Sequence, residues 1–254
     1  MMQHVFITAG GSGLGLAMAK AFMAGGATVA VTDTDTAALT SASAAHPGLL
    51  TYEADASCED TMRKVYTDLR SRWERLDVVM ANAGIAGPTA AVEDVRLEEW
   101  RRCLAVNLDG AFLAASLAAP WMKSQNNGVI TLTSSTAGLF GYPYRSPYAT
   151  AKWGIIGLTK TLAMELGPYN IRVNAICPGS VEGDRMDRVI ANEAKARGIS
   201  PGDLRQGYAD CASLRRFVTA EDVANMAVFL ASPGARNVSG MAMTVDGHTE
   251  KVTL

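Results

Sequence analysis

Seven short apolar runs punctuate the chain, at 4–8 (HVFIT), 28–32 (TVAVT), 49–53 (LLTYE), 76–81 (LDVVMA), 128–133 (GVITLT), 171–176 (IRVNAI) and 241–245 (MAMTV). Most are continuous rather than alternating, the pattern of strands covered on both faces. Between them, residues 13–24, 57–73, 98–124, 147–166 and 219–231 have the length and spacing of amphipathic helices. Strand then helix, repeated, predicts an α/β fold with a parallel sheet, right-handed crossovers and helices on both faces. The rhythm breaks at 178–218, where a connection holding two helix-like pieces, 185–197 and 201–208, precedes the last helix and strand. A connection this long is usually functional, and it is read as a substrate lid. With no internal repeat, residues 1–254 are read as one domain.

Composition narrows the function classes. At 254 residues, with 48% hydrophobic and 19% charged side chains, the chain can bury a sizeable core. A formal charge of −2 provides no basic footprint for nucleic acid and no polybasic stretch for a membrane surface. The start, MMQHVFITAGG, lacks the charged and long apolar regions of a signal peptide, and no stretch approaches the ~18 uninterrupted apolar residues of a membrane span. Cys58, Cys103, Cys177 and Cys211 are widely spaced, with no CxxC and no neighbouring histidine. Reduced thiols in a cytoplasmic protein are expected, and no metal site. His4, His46 and His248 are scattered, and the 12 methionines read as core filler.

A glycine-rich turn separates the first strand from the first helix in HVFITAGGSGLGLAMAKAF. Gly13 and Gly15 would let the backbone approach a pyrophosphate while free N–H groups at the helix start face the anion; a tight structural turn is the alternative. Asp33 follows the second strand about twenty residues later, where a carboxylate can accept both hydroxyls of an adenosine ribose. In TDTDT it is also a candidate helix N-cap or turn residue. A carboxylate there repels a 2′-phosphate, and neither Ser12 nor Thr34 supplies a compensating positive charge. NAD is therefore favoured over NADP.

In TSSTAGLFGYPYRSPYATAK (133–152), Tyr148 and Lys152 stand four residues apart, about one helical turn, so both project from one face. Ser135 lies at the end of the fifth strand, on the carboxyl edge where open α/β sheets bind ligands. Removing hydride from an alcohol carbon needs a base for the hydroxyl proton, and a phenol of pKa ~10 is a poor one at neutral pH. A neighbouring ammonium and a positive nicotinamide ring favour the phenolate. Tyr148 is thus the candidate acid/base, and Ser135 would bond the substrate oxygen and stabilise the developing oxyanion. The alternatives are a tyrosine on a core helix face, a solvated lysine and a strand-end serine.

Taken together, these residues resemble the short-chain dehydrogenase/reductase family across essentially the whole chain. The family's glycine turn corresponds to TAGGSGLG (8–15), its adenine-side aspartate to Asp55 in EADAS, beside Ala56, and its Asn-Ala-Gly element to Asn82, Ala83 and Gly84. Its catalytic asparagine maps to Asn107 in VNLDG, its serine to Ser135, its Tyr-x-x-x-Lys to Tyr148 and Lys152, and its nicotinamide-side Pro-Gly to Pro178 and Gly179. The resemblance implies a single Rossmann-type doubly wound domain with a seven-stranded sheet, and cofactor contacts from Ser12, Gly13, Leu14, Gly15 and the backbone of Val181. It implies that Lys152 also holds the nicotinamide ribose and that Asn107 anchors a water linking Lys152 to solvent. It further implies a homotetramer built by packing the long helices, 98–124 and 147–166, and the carboxyl-terminal segment across two-fold axes. Two positions depart from the pattern. Ala9 replaces the first glycine of the turn, which a methyl group tolerates only at negative φ. Gly183 replaces a threonine that contacts the carboxamide, leaving that clamp in doubt and the lid free to move.

On the substrate side, Leu139, Phe140, Tyr142, Tyr144 and Arg145 lie between Ser135 and Tyr148, and Glu182, Asp184, Arg185 and Arg188 open the lid. So many polar groups suit a small polyol, sugar or hydroxy acid better than a fatty chain. Arg145, Arg185 or Arg188 could read an acidic group through the guanidinium fork, unless each pairs with a surface carboxylate. The expected function is hydride transfer between a secondary alcohol and NAD. The rivals are an NADPH-dependent 3-oxoacyl thioester reductase, against which Asp33 speaks, and a non-catalytic NAD-sensing protein, which has no need of an intact Asn, Ser, Tyr and Lys set.

Overall fold

In the computed structural model, which describes residues 3–249, the apolar runs form one sheet of seven parallel strands. They are β1 (His4–Thr8), β2 (Thr28–Asp33), β3 (Leu50–Glu53), β4 (Val78–Ala81), β5 (Gly128–Thr133), β6 (Ile171–Pro178) and β7 (Ala242–Val245). Their order across the sheet is β3-β2-β1-β4-β5-β6-β7, so the direction of winding reverses between β1 and β4. Side chains alternate between two cores. Val5, Ile7, Val29, Val31, Val78 and Met80 pack on one face, and Phe6, Ala30, Val79, Ala81, Ile130 and Leu132 on the other. Both faces are covered, which is why the strands read as continuous apolar runs. The edge strands β3 and β7 are short and only partly buried.

The helices are α1 (Gly13–Ala24), α2 (Thr36–Ala45), α3 (Glu59–Arg72), α4 (Leu97–Leu104), α5 (Gly110–Ser124), α6 (Ser146–Leu166), α7 (Asp184–Arg197), α8 (Pro201–Asp210) and α9 (Ala220–Ala231). Met18 and Phe22 of α1 pack with Val223, Ala227 and Leu230 of α9 on one face; Met62 and Leu69 of α3, Ala114 and Ala118 of α5 and Ile155 of α6 fill the other. The segment 36–45 is a helix that the apolar pattern did not predict. Only Leu39 and Ala42 of it are buried, and Asp35 starts it by accepting from Ala38 N at 2.9 Å. The expected helix over 98–124 is interrupted. A turn of π-helix, Ala105–Asp109, separates α4 from α5 and buries Val106 and Asn107. By length and composition alone, 97–124 is long and apolar enough to cross a membrane, yet Ala111, Ala114, Ala118 and Trp121 on it belong to the core.

The 178–218 connection carries a small core of its own, in which Ile190, Ala194, Leu204 and Tyr208 pack against Tyr142, Met186 and Phe217. Glu193 is buried among them. It accepts a bond of 2.5 Å from the Tyr208 hydroxyl and one of 3.0 Å from Arg197 Nη1. The Tyr208 ring in turn stacks on Tyr142 with centroids 6.4 Å apart. Of the carboxyl-terminal segment expected near an interface, residues 250–254 lie outside the described residues.

Removing the carboxylate leaves the buried Tyr208 hydroxyl without its acceptor and breaks the ion pair to the partly exposed Arg197, which destabilises the surroundings. Glu193→Ala is expected to raise amide hydrogen exchange in 184–210 by about tenfold or more while β1, β4 and β5 keep their protection. Unchanged exchange in α7 and α8 would show that another contact pins this segment.

Candidate active site

A cleft of about 700 Å³ opens along the carboxyl ends of β1, β2, β4, β5 and β6. At one end the chain leaves β1 through Ala9, whose φ is 52°, correcting the expected negative value. A non-glycine residue pays about 1–2 kcal/mol for this left-handed backbone. The conformation turns the Ala9 carbonyl toward Asn82 Nδ2, 3.2 Å away, and toward the first turn of α1. A Cβ at Gly15 would lie 2.0 Å from that oxygen, so glycine is required for the helix to start this close to the strand. Ser12, Gly13, Leu14 and Gly15 line the cleft; no acidic side chain occupies the first turn of α1, and Ser12 makes no side-chain cap. The helix start thus presents N–H groups to an anion.

Asp33 also lines this end. Its carboxylate accepts from Gly11 N at 3.0 Å and from Asp35 N at 3.1 Å, which aims it at the cleft; the N-cap of α2 is Asp35, not Asp33. The basic residues of the cleft wall, Arg145, Lys152, Arg185 and Arg188, come instead from the start of α6, from α6 itself and from α7. Asp55 and Ala56 are absent from that wall. Although burial opposes it, bonds from Ser57 N, Ser57 Oγ and Arg102 hold the Asp55 carboxyl below the usual range. Asn82 lines the cleft and ties three strand ends together: its N–H and that of Ala83 donate to Thr8 Oγ1 at 2.9 and 3.0 Å, and its Oδ1 accepts from Thr133. Thr8, a polar residue 1% exposed within an apolar strand, is a site component that sequence reasoning missed. Its burial inside an apolar run was the available signal.

At the other end, Ser135 follows β5 in extended conformation, and Tyr148 and Lys152 project from α6. Lys152 is 2% exposed; its Nζ donates to the Thr133 carbonyl at 2.8 Å and lies 5.5 Å from the Tyr148 ring centroid. Ser134 Oγ donates to the Lys152 carbonyl at 2.8 Å, anchoring the helix to the strand end. The π-turn brings in Asn107, whose Nδ2 donates to the carbonyls of Ile85 and Cys103 at 3.0 and 2.9 Å. Its Oδ1 is buried without a protein partner. A Cβ at Gly84 would lie 2.7 Å from that oxygen and 3.4 Å from Lys152 Nζ, so only glycine leaves both polar atoms room at this point. Pro178, Gly179 and Val181 complete the opposite wall. Gly183, the N-cap of α7, has φ 123° and ψ 173°, a backbone that no threonine adopts without strain.

Electrostatics distinguishes Tyr148 from the other buried and half-buried phenols. Burial pushes Tyr66, Tyr142 and Tyr208 upward and, together with Asp68, raises Tyr52 to about 12. Burial acts the same way on Tyr148, but the charges of Lys152, Arg185 and Arg145 and a hydrogen bond with Ser135 outweigh it and bring the phenol below its ordinary value. Lys152 is pulled down, by burial first and by Arg185, against the opposing pull of Tyr148. Arg145 is buried, with its guanidinium carbon 4.8 Å from the Tyr148 ring centroid, and Arg185 donates to the Gly84 carbonyl at 3.0 Å. Neither these two nor the exposed Arg188 pairs with a carboxylate among the described residues. Tyr142 lines the cleft from the side held by Tyr208.

A phenol, an ammonium, a hydroxyl and a cradle of amides lining one cleft suit hydride chemistry on a dinucleotide, and similar proteins carry names of that kind. A family model described as enoyl-(acyl carrier protein) reductase matches residues 8–248. D-beta-hydroxybutyrate dehydrogenase of Rhizobium meliloti (strain 1021) is 32% identical over 260 aligned residues, 97% of this chain and 98% of that protein. The 3-oxoacyl-[acyl-carrier-protein] reductase FabG of Thermotoga maritima is 34% identical over 95% of both chains. Among solved structures, NAD⁺-bound xylitol dehydrogenase superposes with a TM-score of 0.93 at 29% identity, covering 97% of this chain and 98% of that one.

Proposed function

The chain belongs to the short-chain dehydrogenase/reductase family and is an oxidoreductase acting between alcohol and carbonyl with a nicotinamide cofactor; from that premise we propose that Tyr148 is its acid/base, NAD its cofactor and a small polar secondary alcohol its substrate. The observation that carries the assignment is the Tyr148 ring lining one cleft with Ser135, with the buried Lys152 Nζ 5.5 Å and the Arg145 guanidinium 4.8 Å from its centroid. When bound, the nicotinamide ring accepts the hydride. Tyr148 takes the hydroxyl proton, Ser135 bonds the substrate oxygen as charge develops there, and Lys152 keeps the phenol ionised. Asn107 Oδ1, buried beside Lys152 without a protein partner, suits a water that passes the proton onward.

Ser12, Gly13, Leu14 and Gly15 are assigned to the pyrophosphate, Asp33 to the adenosine ribose, Asn82, Ala83 and Gly84 to the middle of the cofactor, and Pro178, Gly179 and Val181 to the nicotinamide side. The carboxylate of Asp33, which forms no salt bridge among the described residues, supports NAD over NADP and weighs against a thioester reductase working with NADPH. A polyol, sugar or hydroxy acid fits the polar wall of the cleft, and relatives include a probable galactose dehydrogenase and D-beta-hydroxybutyrate dehydrogenases. The 178–218 connection is assigned as the lid over that substrate. Phe112, Trp153 and Met164, all at least half exposed on α5 and α6, support burial of these helices in a homotetramer. Four free thiols support a cytoplasmic location.

Tyr148→Phe keeps the ring and removes the proton acceptor. Turnover of the best alcohol should fall by roughly 10³-fold or more while NADH binding, read by fluorescence, stays within about threefold; activity above about a tenth of wild type would remove Tyr148 from the base role. Asp33→Ala should lower the NAD-to-NADP ratio of kcat/KM by about tenfold or more. An unchanged ratio would take Asp33 out of cofactor selection.

A further inference from the structure

Three cationic side chains surround one phenol in this cleft, and a phenolate offsets only one of them. Arg145, Arg185 and Lys152 each act on Tyr148, and none pairs with a carboxylate among the described residues. An oxidised nicotinamide adds a further positive charge. Such crowding in a partly enclosed site is unfavourable without a counter-charge.

The two guanidinium groups are also held in place. Arg145 is 5% exposed, stacks on the Tyr148 ring and donates Nη2 to the Ala86 carbonyl at 3.0 Å, while its Nε is buried without a protein partner. Arg185 reaches down from α7 to the Gly84 carbonyl. Both forks therefore converge on one short stretch of the loop after β4, Gly84–Ala86, and both line the cleft beside Tyr148. A neutral hydroxyl has no use for two guanidinium groups, whereas a carboxylate or sulfonate accepts from such forks through paired bonds. A buried unpartnered donor is what a missing acceptor leaves behind.

We propose that Arg145 and Arg185 form an anion seat for the substrate, so that the enzyme acts on a short hydroxy acid whose carboxylate or sulfonate lies a few bonds from the carbinol carbon. This rests on the hydride-transfer reading for what happens next to the seat, not for the seat itself. Arg145 is the fixed half, being buried and stacked. Arg185 arrives with α7, so an anionic substrate draws the lid onto the reacting centre, and an uncharged alcohol does not. Arg188, exposed on the same helix, is not needed.

The test pairs acids with neutral isosteres on the NAD⁺-loaded enzyme. Lactate, glycerate and 3-hydroxybutyrate are compared with their amides, 2-hydroxypropanesulfonate supplies the sulfonate arm, and malonate against malonamide gives a binding readout by calorimetry that needs no turnover. Anionic members should exceed neutral ones in kcat/KM by about tenfold or more, and the better of the carboxylate and sulfonate arms names the anion. Arg185→Met, which changes an exposed side chain, and Arg145→Met should each lower the acid-to-amide ratio by about fivefold or more, chiefly through KM for the acid, with Arg145→Lys retaining part of it. Neutral alcohols turned over as fast as acids, or a ratio that neither variant moves, overturns the seat while leaving hydride transfer standing. Malonate binding that depends on both arginines, without turnover of any alcohol, supports the seat and contradicts the hydride-transfer reading.

Discussion

A phenol whose ionisation is favoured by the cations beside it is the constraint to which the rest of the site conforms. Coulomb interaction falls with distance and is strongest out of water, so the Lys152 ammonium must be kept both buried and close. The Thr133 carbonyl holds its Nζ, Ser134 holds its backbone carbonyl, and Gly84 leaves space for it beside Asn107. Thr133 ends β5, Ser134 follows it, and Gly84 follows β4, so the adjacency of these parallel strands fixes the lysine. Gly138 adds to this: a Cβ there would come within 2.6 Å of the same Lys152 carbonyl, so the turn after β5 presses directly on α6.

Much of this was legible in the sequence, because burial on both sheet faces leaves a continuous apolar signature. All seven strands lie within two residues of the runs that predict them, and the Tyr148 and Lys152 spacing by itself puts both on one helix face. What was missed has physical reasons. α2 is built largely of Ala, Ser and Thr and buries little, so no apolar stripe marks it, and its Asp35 cap is hidden among similar residues in TDTDT. The π-turn at Ala105–Asp109 inserts into a helix whose composition hardly changes, and it is this insertion that buries Asn107. Ala9 was expected at negative φ from its side chain alone, whereas the bond from Asn82 to its carbonyl and the close start of α1 hold it left-handed. Nor does any local pattern reveal that Arg145 is buried against Tyr148 without a carboxylate, since that depends on residues from three separate segments.

The cleft joins two surfaces of different origin. The amide-rich start of α1 and the Asp33 carboxylate belong to the rigid sheet edge, held by backbone bonds. The opposite wall includes α7, which packs with α8 around its own small core and reaches the sheet domain through Tyr142 and Arg185. Tyr208 gives its proton to Glu193, and its ring stacks on that of Tyr142. Tyr142, which lines the cleft, is thereby tied to the α7–α8 unit, while Gly183, at φ 123°, provides the turn from which that unit departs.

The central claim is that the cations around Tyr148 outweigh its burial, and phenol ionisation reads this without reference to any substrate. Ultraviolet difference titration of the wild type against Tyr148→Phe should reveal one tyrosine that ionises below the ordinary ~10, missing from the variant and displaced upward in Lys152→Met. If the phenol lost in Tyr148→Phe titrates at or above the ordinary value, with or without Lys152, the account is contradicted.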